Sequence, residues 1–199
     1  MKIVDFNPKL FSVDDICHYY DQTKGAICLK FDRLRNPDFE SDFLGLSELE
    51  IDEEKRLLLA ELSIESAFFL LAYIESLFRT DFVLRLESGK WQDQLTKSFK
   101  SLQRKSAPQR KIYTYSLVDD IFARWKEYGA STKEMTDILN TLPQYFDFRN
   151  WVAHGRYWVY KENNYWRKYN YESILILLGK IESTFGSKFK RKNFGLTNG

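Results

Sequence analysis

Cysteine, proline, glycine and histidine are all scarce in this chain, and each scarcity removes a class of protein. Cys17 and Cys28 are its only cysteines, and two thiols build neither a disulfide framework nor a closed zinc site. Four prolines and nine glycines in 199 residues disfavour a loop-rich or all-β build. Charge of one sign is lacking too: 30 basic against 28 acidic side chains leave a net charge of +2, which does not hold a protein to nucleic acid by bulk charge. The most apolar stretch, 66–78, is too short and too interrupted to cross a bilayer. The opening MKIVDFNPKL has no secretory apolar core. Glycine-rich phosphate loops, metalloprotease helices and Gly-x-Ser-x-Gly elbows are absent. The expectation is a cytoplasmic protein with no membrane segment, no metal and no cofactor.

What is present is aromatic and helical. Rings make up 17% of the chain, enough to furnish both a core and a partner surface. Acids dominate 32–54, and bases dominate 97–111 and 188–192, so a local phosphate-attracting face is compatible with the small net charge. The strongest periodic signal runs over 52–86. Asp52 can cap the first turn there, Glu53 and Glu54 suit its positive end, and Leu58, Leu62, Leu70, Ile74, Leu77 and Phe78 recur at helical spacing. Gly89 closes the pattern. Glu65 and Glu75 stand out in a segment apolar on nearly all sides, which belongs at the centre of a bundle.

Around this helix the sequence predicts a second one over 91–102, a basic loop over 103–109 and an apolar segment over 115–128 ending at Gly129. A capping box at 131–134 starts a helix near Thr132. Pro143 either kinks that helix or opens a new one, stopped by Gly155. The ring-rich segment 156–169 reads as a hairpin or ordered loop, Asn170 caps a last helix over 171–185, and the basic tail after Gly186 frays. In the first fifty residues, 14–20 reads as a short helix and 26–31 as a short strand or buried turn. The fold class is all-α: one bundle of five or six helices with its core over 52–185, plus a minor β-hairpin near 156–169.

Chemistry concentrates in 145–158, Tyr-Phe-Asp-Phe-Arg-Asn-Trp-Val-Ala-His-Gly-Arg-Tyr-Trp. Arg149, Asn150 and His154 are set among Phe146, Phe148, Trp151, Val152 and Trp158, where polar groups are costly unless paired or working. Histidine can move a proton near neutral pH, and arginine presents a permanently charged fork that matches phosphate oxygens. Asparagine offers both a donor and an acceptor. Five positions along a regular helix turn a side chain by about 140°. Arg149 and His154 therefore converge only if the helix ends near His154 or a second copy completes the site. A purely structural reading uses the same residues: Arg149 paired with Asp147 or Glu75, and His154 bonded to a carbonyl at a helix end. Trp151, Trp158, Tyr160, Tyr165 and Trp166 either stack bases or pack a core. His18 beside Cys17 has no further ligand near it in sequence.

Arg149-Asn150-x-x-x-His154 resembles the R-x4-6-H motif of the HEPN superfamily (higher eukaryotes and prokaryotes nucleotide-binding domain), and an isolated acid on a long earlier helix, here Glu75, agrees with it. The resemblance spans 52–185. It implies a metal-independent endoribonuclease that works as a homodimer in toxin–antitoxin or phage-defence systems, with RNA as substrate and an antitoxin protein as a partner. It makes Arg149, Asn150 and His154 catalytic, with Glu75, Arg156 and Tyr157 in support. One departure bears on the partner. Toxins of this fold silenced by a nucleotidyltransferase carry a tyrosine two residues after the histidine; Arg156 stands there instead, with Tyr157 one later.

Overall fold

The computed structural model describes residues 12–33, 45–106, 111, 114–156, 159–161 and 164–190. Helix α1 spans Val13–Arg33 and opens on a reciprocal cap, in which Asp15 N–H donates to Ser12 Oγ and Ser12 N–H to Asp15 Oδ2. It runs unbroken through 26–31, the segment expected to be a short strand or buried turn. The reason is tertiary: Ile16, Tyr20 and Phe31 fall on one buried face, and helical spacing alone aligns them. Tyr20 stacks on Tyr171 at 3.8 Å and donates to Glu172 at 2.9 Å.

Helix α2, Glu48–Glu87, is 40 residues long, roughly 60 Å at the standard rise. Its cap is Ser47, boxed with Glu50, and not Asp52, which lies one turn inside the helix. The helix stops at Ser88, one residue before Gly89. Among the described residues it alone is long and apolar enough to cross a bilayer, with mean hydropathy 1.8 over its most apolar 18 residues. The expectation drawn from 66–78 was therefore too narrow. The same pattern suits a bundle's central helix, and Ala67, Leu70, Leu71, Ile74 and Phe78 are completely covered by other parts of the chain.

Helix α3, Gln94–Lys105, is capped by Asp93 and takes in residues expected to be loop. Helix α4, 117–129, is wound with wide π turns over Leu117–Phe122 and Trp125–Gly129. It ends where Gly129 lies against the buried Trp125 ring, so close that a Cβ would sit 2.5 Å from it and 3.0 Å from Leu95. Trp125 is wholly buried and cannot yield cheaply. Gly129→Ala is expected to lower stability by about 1–3 kcal/mol, the usual cost of overpacking, in urea unfolding.

Helix α5, Lys133–Ala153, is capped by Thr132 and continues through Pro143 as one helix. Its buried Leu139, Leu142, Phe146 and Phe148 anchor it on both sides of the proline. A single turn, α6 (Tyr165–Lys168), and α7 (Tyr171–Phe185, capped by Asn170) complete seven helices among the described residues. The all-α class is as expected. The β-hairpin near 156–169 is not: the described part of that segment holds no strand and contains α6. Tyr160, Tyr165 and Tyr169 turn their rings onto Phe148 of α5, a cluster satisfied by packing without a ladder.

The tail after Gly186 also differs from expectation, since 187–190 is tied down. Phe189 stacks on Phe185, Lys190 N–H donates to Asp81 Oδ1 at 2.8 Å, and Lys188 C=O accepts from Arg85 at 2.9 Å. Asp81 is fully buried. Arg85 attracts its charge, but burial is the stronger influence and pushes its carboxyl up to about 6. An unfolded aspartate titrates near about 3.9. The folded state therefore takes the proton first as pH falls, and stability from this group rises between pH 6 and 4. From pH 7 to pH 5 the wild type should gain about 1 kcal/mol relative to Asp81→Asn, which does not titrate. A pH-independent difference in urea unfolding would show that Asp81 is not the titrating group.

Candidate functional site

The last turns of α5 owe their shape to the sequence Ala-His-Gly-Arg. His154 is the C-cap and Gly155 follows at φ +78°. Gly155 N–H donates to Val152 C=O, and Arg156 N–H reaches back to Trp151 C=O. These are the two bonds of a Schellman closure, which needs a residue at positive φ and favours glycine there. The helix thus ends at the histidine, and His154 is exposed.

Arg149 lies one and a half turns earlier. One arm of its fork pairs with Glu75 of α2 at 3.0 Å, and the other donates to Asn150 Oδ1 at 3.1 Å. The guanidinium sits 5.6 Å from the Phe68 ring centroid, and its buried Nε has no hydrogen-bond partner among the described residues. Glu75 also accepts from Arg79 Nε at 2.6 Å, and Arg79 is steadied by Tyr115 C=O. Two cations share this one carboxylate, so the cluster keeps an excess positive charge. Its members are 17–30% exposed, within reach of an anion from solvent.

Asn150 joins the two motif residues. Its side chain receives Arg149, and its carbonyl accepts the His154 N–H at 3.0 Å. Positions 150 and 154 are one turn apart on the same face. Arg149 touches this face through the Asn150 side chain, while the rest of its fork is turned onto Glu75 and Phe68 of α2. Asn150 also borders a depression of about 330 Å³, with Asp147, Trp151 and Lys161.

The remaining candidates divide. Glu75 is brought to Arg149. Arg156, at φ +56°, turns away and forks onto Glu61 of α2, with Nη1 to Oε2 at 2.7 Å. Each partner reinforces the other's charge: Glu61 is held below the usual carboxylate range by Arg156, and Arg156 is raised by Glu61. Tyr157 and Trp158 lie outside the described residues. Of the structural pairings open to Arg149, the one with Glu75 is present, while Asp147 takes Lys161 at 2.8 Å. Trp151 and Tyr160 are buried against each other and Tyr165, so they pack a core; Trp166 is half-exposed under Arg167. Among the described residues no three His, Cys, Asp or Glu side chains cluster as metal ligands.

Sequence reading missed Glu61, Phe68 and Arg79. The spacing of Glu75 and Arg79, four apart on a helix, was a usable signal for one of them; Glu61 and Phe68 are close to the motif only through the fold. Compared with protein-family models, curated proteins and solved structures, the chain matches none.

Proposed function

We propose that this chain is a HEPN-type endoribonuclease that cuts RNA without a metal ion. The observation that supports this reading is the exposed His154 at the close of α5, one helical turn beyond an Asn150 whose side chain contacts Arg149, itself one of two cations on the single Glu75 carboxylate. In the reaction, the ribose 2′-oxygen attacks the adjoining phosphorus and the 5′-oxygen leaves. The 2′-hydroxyl proton passes to a base and another proton reaches the departing oxygen. His154 is suited to one of those transfers, and the same residue of a second copy to the other. Arg149 stabilises the extra negative charge on the phosphoryl oxygens. Asn150 orients Arg149. The products are a 2′,3′-cyclic phosphate and a 5′-hydroxyl. The biological setting in this reading is a cytoplasmic toxin–antitoxin or phage-defence system, in which an antitoxin protein restrains the dimer.

A second reading draws on the Arg149–Glu75 ion pair: a catalytically silent helical module that holds RNA, a nucleotide or a protein on the same surface. Incubating the purified protein with total RNA, with and without EDTA, separates the two. The nuclease yields cyclic-phosphate ends undiminished by EDTA. Intact RNA under both conditions favours the silent module, and cleavage abolished by EDTA defeats the metal-free mechanism.

A further inference from the structure

Two ion pairs tie α5 and the turn that closes it to α2, Arg149 to Glu75 and Arg156 to Glu61. Because Arg149 precedes Arg156 while Glu75 follows Glu61, the two helix faces run antiparallel. Between the pairs lies an open depression of about 400 Å³ lined by Tyr19, Glu65, Phe68, Phe69 and Val152. This is the size of a small-molecule cleft. Tyr19 and Phe69 are each 42% exposed, a wasteful arrangement for rings that had only to fill a core. One charged group interrupts this apolar lining. Glu65 is exposed and, among the described residues, has no hydrogen-bond or ion-pair partner, although it lies in the electrostatic reach of Arg156.

We propose that this depression seats a guanine base of the RNA, stacked against its rings and held by Glu65 through the base's N1–H and N2–H. The choice of base follows from donor geometry. An ionised carboxylate only accepts. Guanine presents two adjacent N–H donors on one edge, which matches the two carboxylate oxygens. Adenine and cytosine present one donor beside an acceptor that repels the second oxygen, and uracil presents one donor between two acceptors. Unpaired bases are commonly read in this way, by aromatic stacking plus hydrogen bonds to the Watson–Crick edge. The register fits the neighbouring chemistry as well. Arg149 is 5.6 Å from the Phe68 ring, so a base seated there brings its own phosphate toward the cation cluster. The inference rests on the reading of the chain as RNA-directed and adds a substrate class to it, cleavage beside guanosine.

The test is fluorescence anisotropy with a labelled 2′-deoxyuridine oligomer carrying one central 2′-deoxyguanosine, in which no attacking hydroxyl remains, so that the probe survives. Matched probes carry deoxyinosine, which lacks the 2-amino group, or deoxyadenosine. The wild type should bind the guanine probe about tenfold or more tightly than either, the discrimination expected of a bidentate contact. Glu65→Gln, with folding checked by circular dichroism, should bring the three probes within about twofold. Equal affinities in the wild type, no binding at all, or a preference that survives Glu65→Gln would overturn the proposal. Loss of a dimer in Glu65→Gln would also overturn it, because a second copy would then be the occupant. Cleavage of total RNA with no base preference removes the guanine subsite and leaves the nuclease reading standing. Guanine-selective binding without cleavage does the reverse.

Discussion

The His154→Ala variant is expected to cleave RNA at least about a hundredfold more slowly than the wild type, the usual contribution of a positioned acid or base, with unchanged helicity and unfolding midpoint. The stability half of this expectation follows from the cap. The hydrogen bonds that close α5 come from the backbone N–H groups of residues 154, 155 and 156, and alanine keeps all three. The side chain is exposed, so no core atom is lost. A variant that folds, dimerises and cuts at the wild-type rate would sink the catalytic assignment. A variant that loses activity only because it melts would show in the same circular-dichroism trace, and that outcome would point to a structural histidine. Wild-type and variant rates should be read on the same RNA with the same end-group analysis, so that trace contaminating nucleases, whose products would be common to both, are recognised.

Arg85→Ala is expected to cost about 3–5 kcal/mol, the penalty for stranding a buried charge. Arg85 is 3% exposed. It holds Asp81 through Nε at 2.8–2.9 Å, Asp93 and Thr96 through one arm, and Lys188 C=O through the other, with its guanidinium 5.4 Å from the Trp125 ring centroid. The one side chain thus joins α2, α3, α4 and the chain after α7. Alanine leaves Asp81 in the interior without its counter-charge. Burial already outweighs that attraction, so removing it raises the carboxyl further. The variant should therefore recover part of its loss as pH falls, and replacing both partners by apolar residues should recover more. Domains of this kind have only about 5–15 kcal/mol to lose, and an Arg85→Ala midpoint in urea close to wild type would mean that Asp81 is solvated.

Legibility in the sequence followed the range of the interactions. The Thr132 start of α5, the Asn170 start of α7 and the Gly155 stop were readable, because each depends on a side chain and backbone groups within about four positions. Ser47 and Glu50 form at the start of α2 the kind of box that the sequence suggests at 131–134, where the cap is instead Thr132, bonded by Met135 N–H. The acids that follow Glu50 make Asp52 an equally plausible cap by local chemistry alone. In 156–169 the ring-rich composition suggests a hairpin or ordered loop, and the aromatic packing onto Phe148 that holds its described part is not periodic in sequence. The candidate site was half legible. Arg149, Asn150 and His154 were visible as a motif and Glu75 as a partner open to Arg149, while Glu61, Phe68 and Arg79 were not.

The sequence by itself determined that this chain is helical and that α5 closes near His154, because hydrophobic period and capping chemistry are local. It also carried the near balance of charge that leaves recognition to a few placed groups. Only the tertiary structure decided that 13–33 is one helix and that 187–190 is held at Asp81 and Arg85. It alone decided that Arg149 and Arg156 reach back to Glu75 and Glu61 on either side of a groove bearing Glu65. Burial of a shared face and pairing of charges far apart in the chain are properties of the assembled bundle, and no window of a few residues contains them.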